Sequence, residues 1–164
     1  MNKNTPTFAL ARVMAATQQR LWKAWTVAEE LQQWFGPAEV DMGENKMDLR
    51  VGGSFWYEMK AAAGSHYGLW IFEEIDEPNR LVSIINFADA HGGVIRNPWQ
   101  ASWPLSARSI FTFSPVGVKE TKIEIAWSPY QANEAEIKTF EPGMASMNQG
   151  WEGTFRQLED YLKK

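Results

Sequence analysis

Five runs in the middle of the chain, "SFWYEMK", "YGLWIFEEI", "RLVSIINFA", "RSIFTFS" and "TKIEIAWS", are rich in aromatic and β-branched residues and follow a period of two. Such residues suit a pleated, half-buried surface, so each run predicts a strand. Most are divided by short segments, "AAAGSH", "DEPN" and "PVGVKE". Antiparallel neighbours can be joined by tight turns, whereas parallel ones need a crossover of a dozen or more residues. The middle of the chain is therefore expected to form an antiparallel meander, and a sheet bearing so many aromatics needs a cover.

The last thirty or so residues provide the only element large enough to be that cover. Met144, Met147, Trp151, Phe155, Leu158 and Leu162 recur at i, i+3, i+4 and i+7, which makes one apolar stripe on a long helix. Asn133 is a candidate N-cap for a short helix ahead of it, and Pro142 suits the first turn of the longer one or a kink in it. Gly143, Ser146, Gly150 and Gly153 trace a parallel stripe of small residues. An interior glycine costs roughly 1 kcal/mol relative to alanine, so something is expected to approach the helix there: adjacent strands, a loop or a second subunit.

Before the meander, residues 7–14 alternate weakly and predict a first strand. In "TQQRLWKAWTVAEELQQWF", Leu21, Trp22, Trp25, Ala28, Leu31, Trp34 and Phe35 fall at helical spacing, predicting two short helices that Gly36-Pro37 ends. These elements predict an α+β architecture of about six or seven strands in a single domain over residues 1–164.

The charge balance, 16 basic against 20 acidic residues with no Lys/Arg run, lacks the footprint of a nucleic-acid binder. Cysteine is absent, which removes disulfides, thiolate metal sites and a Cys nucleophile from consideration. The opening "MNKNTPTFALARVM" lacks the apolar core and cleavage site of a signal peptide, and no run of 18 apolar residues offers a membrane span. A cytoplasmic location is expected. The nine Trp and nine Phe need either a large core or an aromatic-lined cavity.

Five segments carry a family resemblance: "WTVAEELQQWFGP" (25–37), "LRVGGSFWYEM" (49–59), "EEIDEPNRLV" (73–82), "TKIEIAWSPY" (121–130) and "NQGWEGTFRQLEDYL" (148–162). In this order they resemble the START-like helix-grip (SRPBCC) superfamily, and within it the bacterial relatives of the activator of heat-shock-protein-90 ATPase homologue family. The resemblance implies a curved antiparallel sheet wrapped around a long C-terminal helix, with a hydrophobic cavity between them that takes lipids, sterols, polyketides or other apolar molecules. Some members of the superfamily are cyclases or ring-modifying enzymes. The sequence departs from the pattern at Ala16, where many relatives have Pro after the first strand. The separate N-terminal chaperone-binding domain of the chaperone activators has no counterpart in these 164 residues.

The expected cavity sets the candidate ligand-binding residues. Met144, Met147, Trp151 and Phe155 on the helix would face Phe55, Tyr57, Ile71, Ile85, Phe111 and Trp127 on strands, with Trp34, Phe35, Trp99 and Trp103 around an opening. The alternative is that the same residues fill a solid core. Tyr57, in phase with Phe55 and Met59, is a polar candidate on an apolar face.

Residues 89–105, "DAHGGVIRNPWQASWPL", form a loop long enough to be functional, and its tryptophans argue against a solvated linker. They either pack onto the sheet or belong to a lid. Glu73 is the one catalytic candidate. Leu69, Ile71, Glu73 and Ile75 share one strand phase, which would put a carboxylate among aliphatic side chains and raise its pKa. A bulge or the opposite facing would leave Glu73 in water beside Glu74.

No nucleophile elbow, zinc-protease motif, P-loop or dinucleotide fingerprint occurs. His66 and His91 lack partners at ligand spacing, and Asp89 and His91 read as solvated loop residues, so no metal and no cofactor is expected. The family resemblance implies three functions: binding of an apolar or amphipathic small molecule, lipid-like or polyketide-like; a cyclase or hydrolase using the same cavity, with Glu73 as its candidate; and a chaperone-interaction module, suggested by the family name alone. A homodimer is compatible with each.

Overall fold

The computed structural model describes residues 5–37 and 39–164; the first four residues of the segment read for a leader lie outside them. Strand β1 (Phe8–Met14) leads into helices α1 (Gln18–Thr26) and α2 (Ala28–Trp34). Thr17 starts α1 by accepting a hydrogen bond from the Arg20 N–H at 3.2 Å. Val27, in an extended conformation, separates the two helices. Gly36 then takes φ +116°, a backbone region open to glycine, and turns the chain back toward the sheet. At Ala16 the backbone N–H bonds the Met14 carbonyl at 2.9 Å, a bond that proline could not make.

The remaining strands are β2 (Asp41–Met47), β3 (Ser54–Ala61), β4 (Gly64–Asp76), β5 (Arg80–Ala88), β6 (Val94–Ile95), β7 (Ser106–Gly117) and β8 (Glu120–Pro129). They form one curved, unclosed antiparallel sheet in the order β1-β8-β7-β5-β4-β3-β2, with β6 paired to β5 beside that path. The five aromatic runs are β3, β4, β5, β7 and β8. The sheet has eight strands, where six or seven were expected. β2, "DMGENKM", is an edge strand too polar to show a period of two, and its pairing shifts between Met42 and Asn45. β6 is a two-residue strand within the long loop.

Helix α3 (Glu134–Leu162) has 29 residues, so it is about 43 Å long at 1.5 Å per residue. Asn133 caps it. Its side chain accepts the Glu136 N–H at 2.8 Å while the Glu136 carboxylate accepts the Asn133 N–H at 2.9 Å, closing a capping box. Instead of a short and a long helix meeting at Pro142, there is one continuous helix with Pro142 inside it. Pro142 removes the bond to the Lys138 carbonyl, but both residues are exposed, where water can satisfy that group.

The helix lies in the grip of the sheet. Phe140, Trp151, Phe155 and Leu158 of α3 are buried with Phe55, Phe72, Phe111 and Phe113 of the strands. Trp25 sits at the centre, its ring 4.5 Å from Phe111, 4.8 Å from Trp34 and stacked 5.8 Å from Trp151. The C-terminal half of α3 is tied to β1, α2 and the turn after it. Arg12 pairs with Glu152 and, at 2.8 Å, with Glu159; Gln157 donates to the Gly36 carbonyl; the Tyr161 hydroxyl reaches Glu30 at 2.9 Å. Among the described residues no helix is long and apolar enough to cross a membrane.

Candidate ligand cavity

The inner face of the sheet is set by the pairing of β3 with β4, which places Phe55 opposite Trp70, Tyr57 opposite Gly68 and Met59 opposite His66. Gly68 is required by this arrangement. The Tyr57 ring lies across it, and a Cβ built there would collide with the ring. Trp70 and Phe72 continue the inward phase of β4, and the β4–β5 register then shifts between Phe72 and Glu74.

This phase corrects two site residues expected from the sequence. Ile71 is 37% exposed on the outer face. Glu73 is also outside, paired with Arg108 at 3.1 Å. Neither reaches the space between sheet and helix, so Glu73 is not the buried acid of a catalytic cavity. Both phases of "YGLWIFEEI" are apolar. The larger aromatic pair, Trp70 and Phe72, faces the helix, while the charge of Glu73 favours water for its own phase. Leu69 is buried from the outer side, by a small cluster with Trp56, Tyr67 and Ala88.

Between the inner face and α3 is a cavity of about 440 Å³. Of the residues singled out from the sequence, Phe35 after α2, Tyr57, Ile85 and Trp127 from the sheet, and Met147 and Trp151 from the helix form its wall. Trp103 of the long loop completes it. Trp34, Phe55, Phe111 and Phe155 do not reach the cavity and are packed solidly beneath it, at 2% exposure or less. Met144 is half-buried against the core, away from the wall. Trp99 is 68% exposed, with its ring edge-on to His66 at 5.2 Å and to Phe87 at 6.1 Å. It therefore covers two wall residues from outside. Wall residues that sequence reasoning missed include His66, Trp70 and Phe140. The signal for the first two was the alternate phase of β4.

The small residues of α3 serve two purposes. Gly143, Ser146, Gly150 and Thr154 lie on the wall, spaced three or four apart on one helix face. At Gly143 the long loop makes a close approach, because an added Cβ would lie 2.5 Å from Trp103 Cζ3, and the Trp103 ring packs 5.3 Å from that of Phe140. At Gly150 an added Cβ would meet nothing within 4 Å. The first glycine admits a tryptophan and the second leaves open volume.

The loop is also held by polar contacts. Arg96 forms an ion pair with the buried Glu136, and the Thr139 hydroxyl donates to Ser102 at 3.0 Å. Hydrogen bonding from the Asn133 N–H, then from Arg96, holds the Glu136 carboxyl below its ordinary value. Asp89 accepts the N–H groups of His91 and Gly93, both at 2.8 Å, and so shapes a turn. Among the described residues no group of three His, Cys, Asp or Glu side chains could hold a metal.

On the wall, burial pushes the Tyr57 phenol up to about 12, with the Trp70 indole acting in the opposite direction. Burial holds the His66 imidazole below its ordinary value. The Trp127 indole N–H is already used, donating to the Ser109 hydroxyl at 2.8 Å.

The profile of the family described as "Activator of Hsp90 ATPase homolog 1-like protein" matches residues 15–163. Among solved structures, a protein from Mycobacterium smegmatis is 22% identical, with 98% of this chain and 93% of that one covered and a TM-score of 0.76. A protein from Arthrobacter aurescens is 23% identical, with 99% and 89% covered and a TM-score of 0.79. The AHSA1 protein from Silicibacter pomeroyi is 15% identical, with 96% and 98% covered and a TM-score of 0.71. At these identities the likeness is one of fold. No curated protein matches the chain.

Proposed function

We propose, for a chain that belongs to the activator of Hsp90 ATPase homolog 1-like family of START-like helix-grip proteins, that it binds an apolar or amphipathic small molecule between sheet and C-terminal helix. The observation that carries this reading is the cavity itself: about 440 Å³, walled chiefly by aromatic, aliphatic and methionine side chains. That volume lies within the roughly 300–1,000 Å³ common to small-molecule sites. Affinity would come from apolar burial, at roughly 25 cal/mol per Å² before ordering costs, with Tyr57 and His66 orienting the polar part of the ligand. Methionine at position 147 adds an adaptable surface.

Native mass spectrometry of freshly purified protein should show a lipophilic molecule that leaves on denaturation, or a lipophile panel should give saturable increases in melting temperature. Neither result with any lipophile of fitting size would refute the proposal. The cyclase or hydrolase reading lost its one candidate when Glu73 turned outward. The chaperone reading has the family description behind it and no feature of the cavity.

A further inference from the structure

Resting on the cavity-binding reading, we infer that the ligand is uncharged: the site selects a neutral molecule with an apolar body and a hydrogen-bonding end over its carboxylate, sulfonate or ammonium analogues. Among the described residues of the wall there is no Asp, Glu, Lys or Arg. Arg96, the one cation of the 89–105 loop, is committed to Glu136. Arg108 is held by Glu73 on the outer face, and Arg12 by Glu152 and Glu159. An ion entering this wall would lose hydration and find no counter-charge, which is among the larger penalties in protein interiors.

The polar groups that remain are neutral ones. Tyr57, His66 and Tyr67 come from the adjacent strands β3 and β4, Asn86 from β5, Asn97 and Gln100 from the long loop, and Ser146 and Thr154 from α3 beside Trp151. Burial raises the pKa of the phenol and lowers that of the imidazole, so in both groups it favours the uncharged form. A cavity of about 440 Å³ has room for about 15 water molecules at ~30 Å³ each, and hence for a ligand on the order of 15 to 20 non-hydrogen atoms.

Two fluorescent probes of that size differ by one charged group: N-phenyl-1-naphthylamine and its sulfonate, 8-anilino-1-naphthalenesulfonate. In titrations of the full chain the neutral probe should bind saturably at one site, at least about 100-fold tighter than the sulfonate at that site. Equal affinities, with each probe displacing the other, would overturn the inference and leave cavity binding intact. No saturable binding of either probe would overturn both.

Gly150→Leu, or Gly150→Met as a more adaptable filler, should abolish binding of the neutral probe while the protein still melts cooperatively. Binding that persists in a folded variant would put the probe outside the cavity and overturn the inference. Gln100→Arg, which places a cation on the wall, should narrow the gap between the probes about tenfold. An unchanged gap would assign it to the probes' own solubilities and count against selection by the site.

Discussion

Replacing Gly150 by alanine should raise the melting temperature, whereas the same replacement at Gly143, seven residues earlier on the same helix, should not. Both glycines lie inside α3, so each substitution gains a helix-propensity contribution of about 1 kcal/mol. At Gly150 nothing lies within 4 Å of the new Cβ, so the gain is kept in full. At Gly143 the new Cβ would stand 2.5 Å from Trp103 Cζ3 and 2.8 Å from Cη2. The ring is packed on Phe140, and overpacking of this kind costs about 1–3 kcal/mol. Gly143→Ala is therefore neutral to destabilising by about 2 kcal/mol, and the two variants differ by about 1–3 kcal/mol, a difference in which the helix contribution cancels. For a chain of this length 1 kcal/mol moves the midpoint by about 2–4 °C, within the reach of scanning calorimetry. Equal shifts for the two variants would refute the seating of Trp103 on Gly143.

Three other outcomes follow from the site. His66, held low by burial, should titrate below 6.5 in imidazole NMR spectra; its contribution to stability is complete above 6.5 and is lost as pH falls, so a midpoint above 6.5 would contradict its place on the wall. Glu136, also held low, contributes stability that is full above its ordinary 4.5 and lost as pH falls through its folded value, so Glu136→Gln should cost about 1 kcal/mol at neutral pH and flatten the acid limb of the stability profile. An acid limb of unchanged steepness would show that this carboxylate is not the group responsible. Glu73→Gln should leave the affinity for N-phenyl-1-naphthylamine unchanged, because the side chain is outside the sheet; a loss of affinity above threefold would bring it back to the cavity.

The parts of the fold legible in the sequence are those where one periodicity was unambiguous. "SFWYEMK" has Phe55, Tyr57 and Met59 on one face and charge on the other, and its inward set is the one observed. The α3 stripe and the Asn133 cap were legible for the same reason: local chemistry and global packing agree there. β4 was not, because Trp70 and Phe72 in one phase and Leu69 and Ile71 in the other are equally apolar. The pairing of Gly68 beneath Tyr57 fixes which phase faces the helix, in line with the charge of Glu73 on the other. β2 owes its place to being an edge partner of β3, and its residues carry little of that signal.

The candidate site was legible as a list of large apolar residues, without depth. Phe55, Phe111 and Phe155 resemble Trp151 in composition and spacing, yet they lie in the solid layer below the cavity. What separates them is the geometry of α3 against a curved sheet, which no local pattern encodes.

The stacking of Trp25 on Trp151 has an optical consequence. The two indoles are 5.8 Å apart with their planes inclined by 23°, and Trp127 meets Trp151 edge-on at 5.6 Å. Transition dipoles so close couple, and the coupling should give the folded protein an exciton feature in near-ultraviolet circular dichroism that isolated tryptophans lack. Trp25 is locked in the core at 0% exposure, whereas Trp151 is also a wall of the cavity. One chromophore of the pair is fixed and the other borders the cavity, so the chain carries a built-in spectroscopic gauge of whether that cavity is filled.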